Sequence, residues 1–586
     1  MAQWTVYNKK AAFKEIGQKF GIDQVTARII RNRDIIEEED IRRFIKGGLE
    51  DLYDPYLLKD VETLTDILAD KIAQGKSIRI IGDYDIDGVM STYILKTCLD
   101  YCGGKVSTVI PDRIKDGYGL NMQLIEKAAK DEVDTIITCD NGIAAIDEIA
   151  RAKELGMTVL VTDHHEIPYE DVEGTRKYLR SQADAIVNPH QKECKYPNKN
   201  LCGAAVAWKC MQVLYERMGK PLEKTYELLE NVAFATVGDI MDLTDENRIL
   251  VKEGLKRIRF TSNIGMKALI SQCGLMPEQI ESYHFGFVLG PCINASGRLD
   301  TARRALELFL ADNADEASRI ASELVTLNEE RKDMTNEGVE LAKQIYEEMG
   351  YEKDRVIVIY MPQVHESIAG IIAGRIRETY NKPTFILTDG EEGVKGSGRS
   401  IEEYSMYDEM CKCKELFTRF GGHPMAAGLS LPQENVDRFR SLLNANCTLT
   451  EADLQEKVRI DVPMPLSYVT MDLVREFELL APFGKANPKP VFADKNVEIS
   501  RMWIIGKNQN VLRLSLKSSD GLPVSAIYFR NIDEFLQYLS DKFGKEQVEA
   551  ALAGRDNNIV ISMVYAPSIN CFRDSENLQF EIQYYK

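Results

Sequence analysis

The sequence predicts an α/β fold in which a parallel-sheet domain is followed by a long linking helix, a smaller α/β domain and a C-terminal β-barrel. Three observations carry this prediction. Short apolar runs alternate with amphipathic stretches in the first half, a charged heptad-like stretch covers 313–349, and short alternating strands follow residue 455. Near-continuous apolar strands separated by helices are typical of a parallel sheet covered on both faces.

The first domain is predicted from the spacing of its apolar runs. After a polar, helical segment over about 4–68, strands are expected at 77–81, 106–110, 135–138 and 158–161. Helices are expected between them at 89–102, 120–130 and 143–155. Residues 203 to about 310 are also expected to be mostly helical. Functional groups collect at the carboxyl ends of strands in such sheets.

The segment 313–349 predicts one helix of about 55 Å. It carries many charges and lacks a long apolar face, which favours a spacer packed on two neighbours. A coiled-coil dimer is the alternative, but the heptad pattern lapses at Arg331 and Gly338.

The second α/β domain is predicted from a strand at 355–360, a helix at 368–379 and a strand at 384–387. Two Gly-rich turns are expected after them, at 393–398 and 421–422. The expected boundaries are a helical lead-in over 1–70, the first domain over 71–312, the linker over 313–350, the second domain over 351–450 and the barrel over 455–586.

Composition limits the class of protein. A chain of 586 residues predicts about three to four domains, and 44% hydrophobic with 28% charged residues is typical of a soluble globular protein. No signal peptide or membrane span is expected, and the net charge of −19 discourages indiscriminate polyanion binding. Twelve cysteines without a CxxC pair predict reduced thiols in a cytoplasmic protein.

Acidic residues follow three predicted strands where each strand ends. The segments are Asp83-Tyr84-Asp85-Ile86-Asp87-Gly88, Asp140-Asn141-Gly142 and Asp163-His164-His165. Neighbouring parallel strands lie about 4.8 Å apart, so these ends are expected to converge. Closely packed carboxylates repel each other unless cations neutralise them, and oxygen ligands with an imidazole suit Mn²⁺ or Mg²⁺.

Two adjacent metal sites fit this pattern. Asp83 and Asp85 are two residues apart and point the same way on a regular strand, and Asp239 is a further candidate after an apolar helical stretch. Two metal ions about 3.5–4 Å apart can activate a water and clamp the leaving oxygen of a phosphoester.

Each motif has a simpler explanation when taken alone. An Asp at a strand end is commonly a helix N-cap, and an adjacent His pair is commonly found at a surface. However, the chain has six histidines, and two of them are adjacent at a predicted strand end. The combination therefore favours a metal site.

The ordered acidic motifs, completed by Gly238-Asp239, resemble those of the DHH phosphoesterase superfamily. Within it, the chain is similar to the RecJ family of single-strand-specific 5′→3′ DNA exonucleases. The similarity covers nearly the whole chain, and its further stretches are Asp54-Pro55, Val187-Asn188-Pro189-His190, Asn294-Ala295-Ser296-Gly297-Arg298, Ser397-Gly398-Arg399-Ser400, Gly421-Gly422-His423, Ala426-Ala427-Gly428 and Ala481-Pro482-Phe483-Gly484.

The resemblance implies a ligand set for two ions, Mn²⁺ or Mg²⁺. Asp83 would bind one ion, Asp85, His164 and Asp239 would bind the other, and Asp140 would bridge them.

The resemblance also implies catalytic roles for His165, Asp140 and Asp85. His165 would polarise or position the scissile phosphate. Asp87 and Asp163 are expected to orient the ligands.

Phosphate-binding residues are expected in the second domain and before the linker. The turn at 393–399 offers backbone N–H groups, a Lys and an Arg, although a simple hairpin is the alternative. Gly421-Gly422-His423 is either a helix-capping turn or part of the substrate pocket, and His365 either binds an anion at a helix start or caps that helix. The candidate substrate-binding residues are Arg298, His365, Ser397, Gly398, Arg399, Gly422 and His423.

The tail is basic although the chain is acidic. Residues 485–530 contain eight basic and three acidic side chains, with Phe492, Trp503, Tyr528 and Phe529 interleaved. Bases with stacking aromatics on a small barrel suit single-stranded nucleic acid, as in OB folds. The alternative is that the aromatics form the barrel core, which we favour for Phe492 and Tyr528.

Two positions depart from the family pattern. Ala486-Asn487-Pro488 stands where RecJ chains usually have Gly-Asn-Pro, and Val364 replaces the Trp commonly found before His365. Neither belongs to the expected metal site.

The resemblance therefore implies a metal-dependent 5′→3′ exonuclease acting on single-stranded DNA in recombination and repair. The implied partners are single-stranded DNA, single-strand binding protein and a helicase, and a monomer without membrane contact is expected. The alternatives are a DHH phosphodiesterase acting on cyclic dinucleotides or short oligonucleotides, and a non-catalytic RecJ-like scaffold.

Overall fold

The chain forms two compact units. The computed structural model describes residues 2–113, 116–117, 119–172, 175–390, 393–506, 509–518, 520–572 and 575–586. The first unit contains Tyr53–Met241 and Glu253–Glu456, and the second contains Ala2–Leu52, Asp242–Lys252 and Lys457–Lys586. Lys507, one of the basic residues of the tail, lies outside the described residues. Among the helices that are described, none has the length and apolar character needed to cross a bilayer.

The secondary structure is numbered in chain order. The helices are α1 Phe13–Phe20, α2 Gln24–Asn32, α3 Glu38–Lys46, α4 Val61–Ala73, α5 Ile86–Tyr101, α6 Met122–Lys130, α7 Ile146–Glu154, α8 Gly203–Arg217, α9 Glu223–Tyr226, α10 Leu229–Gly238, α11 Asp245–Ile258, α12 Ile264–Gln272, α13 Ser282–His284, α14 Gly290–Leu299, α15 Arg303–Leu310, α16 Ala314–Glu348, α17 Glu366–Tyr380, α18 Met406–Cys411, α19 Val436–Asn446, α20 Met471–Glu476, α21 Ile532–Phe543 and α22 Lys545–Leu552. The strands are β1 Gln3–Val6, β2 Ser77–Ile81, β3 Lys105–Val109, β4 Thr135–Cys139, β5 Thr158–Thr162, β6 Tyr169–Val172, β7 Thr175–Tyr178, β8 Ala185–Val187, β9 Ile357–Tyr360, β10 Thr384–Gly390, β11 Gly393–Arg399, β12 Arg419–His423, β13 Ala426–Leu431, β14 Lys457–Ile460, β15 Val462–Pro463, β16 Phe492–Ile505, β17 Val511–Lys517, β18 Pro523–Tyr528, β19 Val560–Phe572 and β20 Ser575–Tyr585.

A five-stranded parallel sheet lies at the centre of the first unit. Its strand order is β3-β2-β4-β5-β8, and every neighbouring pair is parallel. On one face, Ile136, Val159 and Val161 pack with apolar residues of α6 and α7. Helices α5 and α8 pack together on the other side, with α4 against α8. The predicted two-faced parallel sheet is therefore confirmed.

The long helix α16 connects this sheet domain to a second sheet. It packs against α12, α14 and α15 along one part and against α17 along another, as the spacer interpretation predicts. At Gly338, a Cβ atom would lie 2.4 Å from Cδ1 of Ile372 on α17. The heptad pattern thus lapses at a position where α17 packs closely against α16.

The second sheet has the order β12-β13-β11-β10-β9, with β9 and β10 parallel and the other pairs antiparallel. The predicted Gly-rich turns at 393–398 and 421–422 are wrong, because these residues form β11 and part of β12. The glycines allow close packing instead. A Cβ on Gly396 would lie 2.4 Å from Leu387, and one on Gly398 would lie 2.7 Å from Phe385. Since β11 pairs with strands on both sides, its backbone is committed to the sheet.

The second unit contains a closed β-barrel. Strand β16 pairs with both β17 and β19, which closes the ring β16-β17-β18-β20-β19. The core includes Phe492, Leu514, Tyr565 and Phe580. The predicted C-terminal barrel is confirmed, and Phe492 and Tyr528 are buried as expected.

Two further segments complete the second unit. Residues 4–6 belong to the segment expected to be helical, but Gln3–Val6 form β1, which pairs in parallel with β14 from Gln3↔Lys457 to Val6↔Ile460. This pairing depends on a strand more than 450 residues away, which local pattern does not reveal. Arg248 is buried and donates to the carbonyl oxygens of Phe44, Leu479 and Leu480 at 2.7–3.0 Å, which ties Asp242–Lys252 into this unit.

Candidate metal centre and substrate cavity

The acidic motifs meet at the carboxyl edge of the parallel sheet. In the register of this sheet, Ile81 pairs with Thr138, and Cys139 pairs with Thr162. Asp83, Asp140 and Asp163 therefore leave neighbouring strands at nearly the same level. The convergence that the sequence predicts follows directly from this register.

Three overlapping groups of side chains bring ligand atoms within 4.8 Å of one another: Asp83, Asp85 and Asp140; Asp140, His164 and His165; Asp87, His164 and Asp239. Nε2 of His164 lies 3.1 Å from Oδ1 of Asp140 and 3.8 Å from Oδ2 of Asp239. All five expected ligands thus belong to one cluster, in which Asp140 and His164 are each shared by two groups.

One placement differs from the expected pairing. The resemblance puts Asp85 with His164 and Asp239, whereas in the structure Asp87 meets that distance criterion. Both carboxylates also stabilise helix starts. Asp85 accepts from the N–H groups of Asp87 and Gly88, and Asp87 accepts from Gly203 and Ala204 at 2.6 and 2.8 Å.

Asp140 occupies an unusual backbone position. Its φ is +61°, in the left-handed region that non-glycine residues rarely adopt. Helix α8 begins directly against it, because a Cβ on Gly203 would lie 2.7 Å from Cβ of Asp140. The chain therefore holds this carboxylate in a strained conformation, which commonly marks a functional site.

The carboxylates of the cluster are poorly compensated by the described side chains. Burial, followed by neighbouring aspartates, raises the pKa of Asp83, Asp85 and Asp140 above the usual carboxyl range. Oδ1 of Asp83 is buried without a hydrogen-bond partner among the described residues. Bound divalent cations would neutralise these charges and supply the missing partner, so the donor set fits Mn²⁺ or Mg²⁺.

Asp163 orients the histidine pair. Its carboxylate accepts from the N–H groups of His164 and His165 and lies 2.8 Å from Nδ1 of His165. Burial would raise the pKa of Asp163, but the hydrogen bond and charge of His165 lower it. The same contact raises the pKa of His165 to about 9 against the opposing effect of burial.

Asn188 adds a support that the sequence did not assign. Its Nδ2 donates to the carbonyl oxygen of His165 at 2.9 Å from the end of β8.

A cavity of about 250 Å³ lies beside the cluster. Tyr84 and Arg113 line it from the segments that follow β2 and β3. From the second sheet and α17 it is lined by Glu366, Ser367, Ala369, Thr388, Lys395, Gly396, Ser397, Gly428 and Leu429. Lys395 and Glu366 form an ion pair at 2.7 Å. Because Tyr84 stands between Asp83 and Asp85, the cavity opens next to the metal-ligand loop.

Arginine side chains gather near this cavity. Burial, together with the charges of Arg113, Arg331 and Arg399, lowers the pKa of Arg298 to about 10. Arg298 donates to the carbonyl oxygen of Ser367 at 2.6 Å, while Arg113 lies over the ring of Tyr84 at 4.9 Å. Such a group of guanidinium side chains attracts a phosphate.

Arg113 was missed by the sequence reasoning. It follows β3, which ends at the same edge of the sheet as β2 and β4. The rule that located the aspartates, applied to basic residues, would have found it.

The other candidate substrate residues occupy different places. Ser397 lines the cavity, but the Cα of Gly398 faces Phe385 and Met406 on the opposite side of β11. His365 is the N-cap of α17, with its Nδ1 2.7 Å from Oγ of Ser367, as the capping alternative predicts. Gly422 and His423 are exposed on β12 and are not among the cavity-lining residues described above.

Family models match three parts of the chain. A DHH family N-terminal domain matches residues 77–236, a DHHA1 domain matches 353–448, and a RecJ OB domain matches 460–584. The fold and the site thus define a phosphoesterase of the DHH class.

Similar proteins cover most of the chain. A single-stranded-DNA-specific exonuclease RecJ of Salmonella typhimurium is 31% identical over 95% of this chain and 94% of its own length. RecJ of Bacillus subtilis is 34% identical over 86% of this chain, which spans 63% of that relative. The structure of Thermus thermophilus RecJ in complex with Mn²⁺ matches with a TM-score of 0.81 at 26% identity, over 100% of this chain and 79% of that one. The chain belongs to the RecJ family of single-stranded-DNA-specific exonucleases.

Proposed function

We propose that this protein uses two divalent cations, Mn²⁺ or Mg²⁺, to hydrolyse single-stranded DNA from its 5′ end. The observation that carries the proposal is the overlap of three ligand groups at one sheet edge, beside a cavity with guanidinium side chains. When bound, the ions would polarise the scissile phosphate and lower the pKa of an attacking water.

The proposed ligands are Asp83, Asp85, Asp140, His164 and Asp239. Asp140 is the shared ligand, because it belongs to two groups of ligand atoms. Burial, followed by the charges of Asp87, Asp85, Asp83 and Asp239, raises its pKa. Asp87 and Asp163 position the ligand segments, since each accepts several backbone N–H groups.

His165 is proposed to donate a hydrogen bond to a phosphate oxygen. Asp163 fixes its imidazole, and Nδ1 lies 4.0 Å from Oδ1 of Asp140. Because Asp163 engages Nδ1, Nε2 is the ring nitrogen proposed to donate to the phosphate.

The cavity is proposed to hold the terminal 5′-phosphate. Arg113 and Ser397 line the cavity and would donate to its oxygens, and Arg298 and Arg399, whose charges act on one another and on Arg113, add positive charge nearby. Tyr84 lines the cavity and lies between Asp83 and Asp85 in the chain. A terminal phosphate bound in the cavity would therefore place the next phosphodiester near the metal ligands.

The barrel is proposed to bind the rest of the strand. Trp503 lies on the outer face of β16, with the guanidinium of Arg501 4.6 Å above its ring and Arg513 as its cross-strand neighbour. An aromatic ring between two cations can stack a base and contact its phosphates.

The proposal assigns metal chemistry to 71–312, phosphate binding to 351–450 and strand binding to 455–586. We further propose that the protein is a cytoplasmic monomer that acts in recombination and repair. Its partners would be single-strand binding protein, which coats the substrate, and a helicase, which supplies it.

Oligonucleotides labelled at either end test the proposal. With Mn²⁺, we expect a 5′-labelled single strand to release labelled mononucleotide at once and a 3′-labelled strand to shorten progressively. Attack from the 3′ end, equal digestion of blunt duplex, or faster turnover of a cyclic dinucleotide than of a long strand would contradict it.

A further inference from the structure

Two cysteines face each other where three helices of the first unit meet. Sγ of Cys273, directly after α12, lies 3.9 Å from Sγ of Cys292 on α14. Helix α16 packs against both α12 and α14. Cys273 is partly exposed, whereas Cys292 is buried.

The surroundings give the two sulfur atoms different chemistry. Sγ of Cys292 lies 3.3 Å from the carbonyl oxygen of Val288 and accepts from Nδ2 of Asn328 at 3.5 Å. The contact with Cys292 and the nearby charge of Lys332 lower the pKa of the Cys273 thiol, with burial opposing, whereas the same contact and burial raise the pKa of the Cys292 thiol. A lowered pKa on an accessible sulfur favours the reactive thiolate.

We propose that Cys273 and Cys292 form a reversible disulfide when the protein meets a peroxide. Hydrogen peroxide oxidises Cys273 to a sulfenic acid and is reduced to one water. The Cys292 sulfur then attacks the Cys273 sulfur, the S–S bond forms, and the sulfenic oxygen leaves as a second water. Two thiols thus lose two electrons and two protons, and a dithiol reductant reverses the change.

The disulfide acts on the helix that supports the metal centre. Its sulfur atoms must close from 3.9 Å to about 2 Å, which displaces Cys292 or Cys273. Two residues beyond Cys292, Oδ1 of Asn294 accepts from the N–H of Ile86, next to Asp85. Asn328, which contacts Cys292, also accepts from Arg331. Oxidation therefore slows hydrolysis, and this part of the inference rests on the proposed function.

The test uses the Mg²⁺-loaded full chain with the exposed Cys411 and Cys571 replaced by serine. After brief peroxide treatment, we expect the intact mass to fall by two hydrogens and non-reducing peptide mapping to show Cys273 joined to Cys292. Hydrolysis of a single-stranded oligonucleotide should fall at least threefold and recover with dithiothreitol.

Matched variants separate the outcomes. Cys273→Ser and Cys292→Ser should each prevent the cross-link, while Cys102→Ser, at a buried thiol elsewhere, should keep it. Absence of the cross-linked peptide overturns the proposal, and a cross-link without loss of turnover overturns its inhibitory part. If the untreated protein hydrolyses no DNA, the proposed function fails, while the mass measurement still decides whether the disulfide forms.

Discussion

At the residue scale, Asp140 combines an unfavourable backbone conformation with a buried and crowded carboxylate. It is 2% exposed, its backbone is left-handed, and aspartates from two other segments, 83–87 and Asp239, act on it. A left-handed non-glycine residue costs about 1–2 kcal/mol. The chain retains this residue where its carboxylate is shared by two groups of ligand atoms, which is consistent with a role that glycine cannot fill.

Replacing Asp140 with asparagine should abolish turnover. Asparagine tolerates the left-handed backbone, so Asp140→Asn should fold, but it removes the negative charge proposed to be shared by both ions. We expect hydrolysis of a 5′-labelled single strand to fall by roughly 10³-fold or more. Glu166→Gln, which removes an exposed charge nearby, is the control; turnover of Asp140→Asn within tenfold of it would refute the assignment.

Asn294 is expected to position Asp85 without touching the ions. Asn294→Ala removes the acceptor for the Ile86 N–H and should weaken Mn²⁺ affinity by about 10–100-fold, measured by calorimetry. Asn294→Asp retains an acceptor oxygen and should recover most of the affinity. Ser296→Ala, which breaks only a hydrogen bond within α14, should bind Mn²⁺ like the wild type, and equal affinities in all variants would rule out the role.

The acidic site was predictable from strand ends, whereas its support by Asn294 was not. Asp83, Asp140 and Asp163 follow apolar strands, and parallel register alone brings them together. Asn294 approaches from a helix about 200 residues later, so its contact with Ile86 depends on tertiary packing that no local pattern encodes.

At the element scale, one departure from the family pattern has a clear structural cost. Ala486 has φ +61° in the turn closed by the hydrogen bonds between Gly484 and Asn487. This is the position where a turn favours glycine. The barrel unit therefore carries avoidable strain at a residue distant in sequence from the metal ligands.

Ala486→Gly should stabilise the second unit. Glycine removes the energetic cost of the left-handed backbone, and this gain exceeds the free-energy cost of the greater chain entropy of glycine in the unfolded state. We therefore expect the free energy of unfolding by urea to rise by about 0.5–1 kcal/mol. Ala553→Gly is the matched control, because Ala553 has a right-handed helical backbone and should be destabilised by glycine. A loss of stability in Ala486→Gly would show that the turn is not strained.

A buried carboxyl on α10 makes the stability of the first unit depend on pH. Burial raises the pKa of Glu230 to about 7, while the Thr261 hydroxyl that donates to it has the opposite effect. Since the folded pKa exceeds the unfolded value, the contribution of Glu230 is complete only in acid and is lost as pH rises to 7.

Glu230→Gln should remove this pH dependence. We expect the variant to gain on the order of 2 kcal/mol over the wild type between pH 5 and pH 8, in urea unfolding followed by Trp208 fluorescence with Trp4 and Trp503 replaced by Phe. An advantage that is equal at both pH values would mean that Glu230 does not titrate in this range.

The sequence pattern predicted most helices and strands, but the glycine-rich segments were wrongly predicted as turns. The residues of β11 read as a flexible turn because Gly396 and Gly398 occur in a short run. The absence of a side chain at these glycines makes room for Leu387, Phe385 and Met406. The sequence alone does not show which neighbours a glycine accommodates. The β1 strand was also missed because it depends on a distant partner, Lys457–Ile460, which the local sequence does not reveal.

At the scale of the whole molecule, strand binding and bond cleavage are expected to be separable. Trp503→Ala should weaken binding of a 30-nucleotide strand by roughly 5–100-fold, the loss of one stacked base, and leave the maximal rate nearly unchanged. Fluorescence anisotropy and steady-state hydrolysis measure the two effects. Trp4→Phe is the control on the same unit, and unchanged affinity in Trp503→Ala would exclude a stacking role.

The discontinuous second unit has a consequence for biosynthesis. Strand β1 leaves the ribosome well before its partner β14, which is made more than 450 residues later. At 5–20 residues per second, the amino-terminal segment waits on the order of 20–90 seconds for that partner. During this interval the apolar residues of α2 and α3 lack the barrel core they finally join, so their packing is completed only after the barrel has been synthesised.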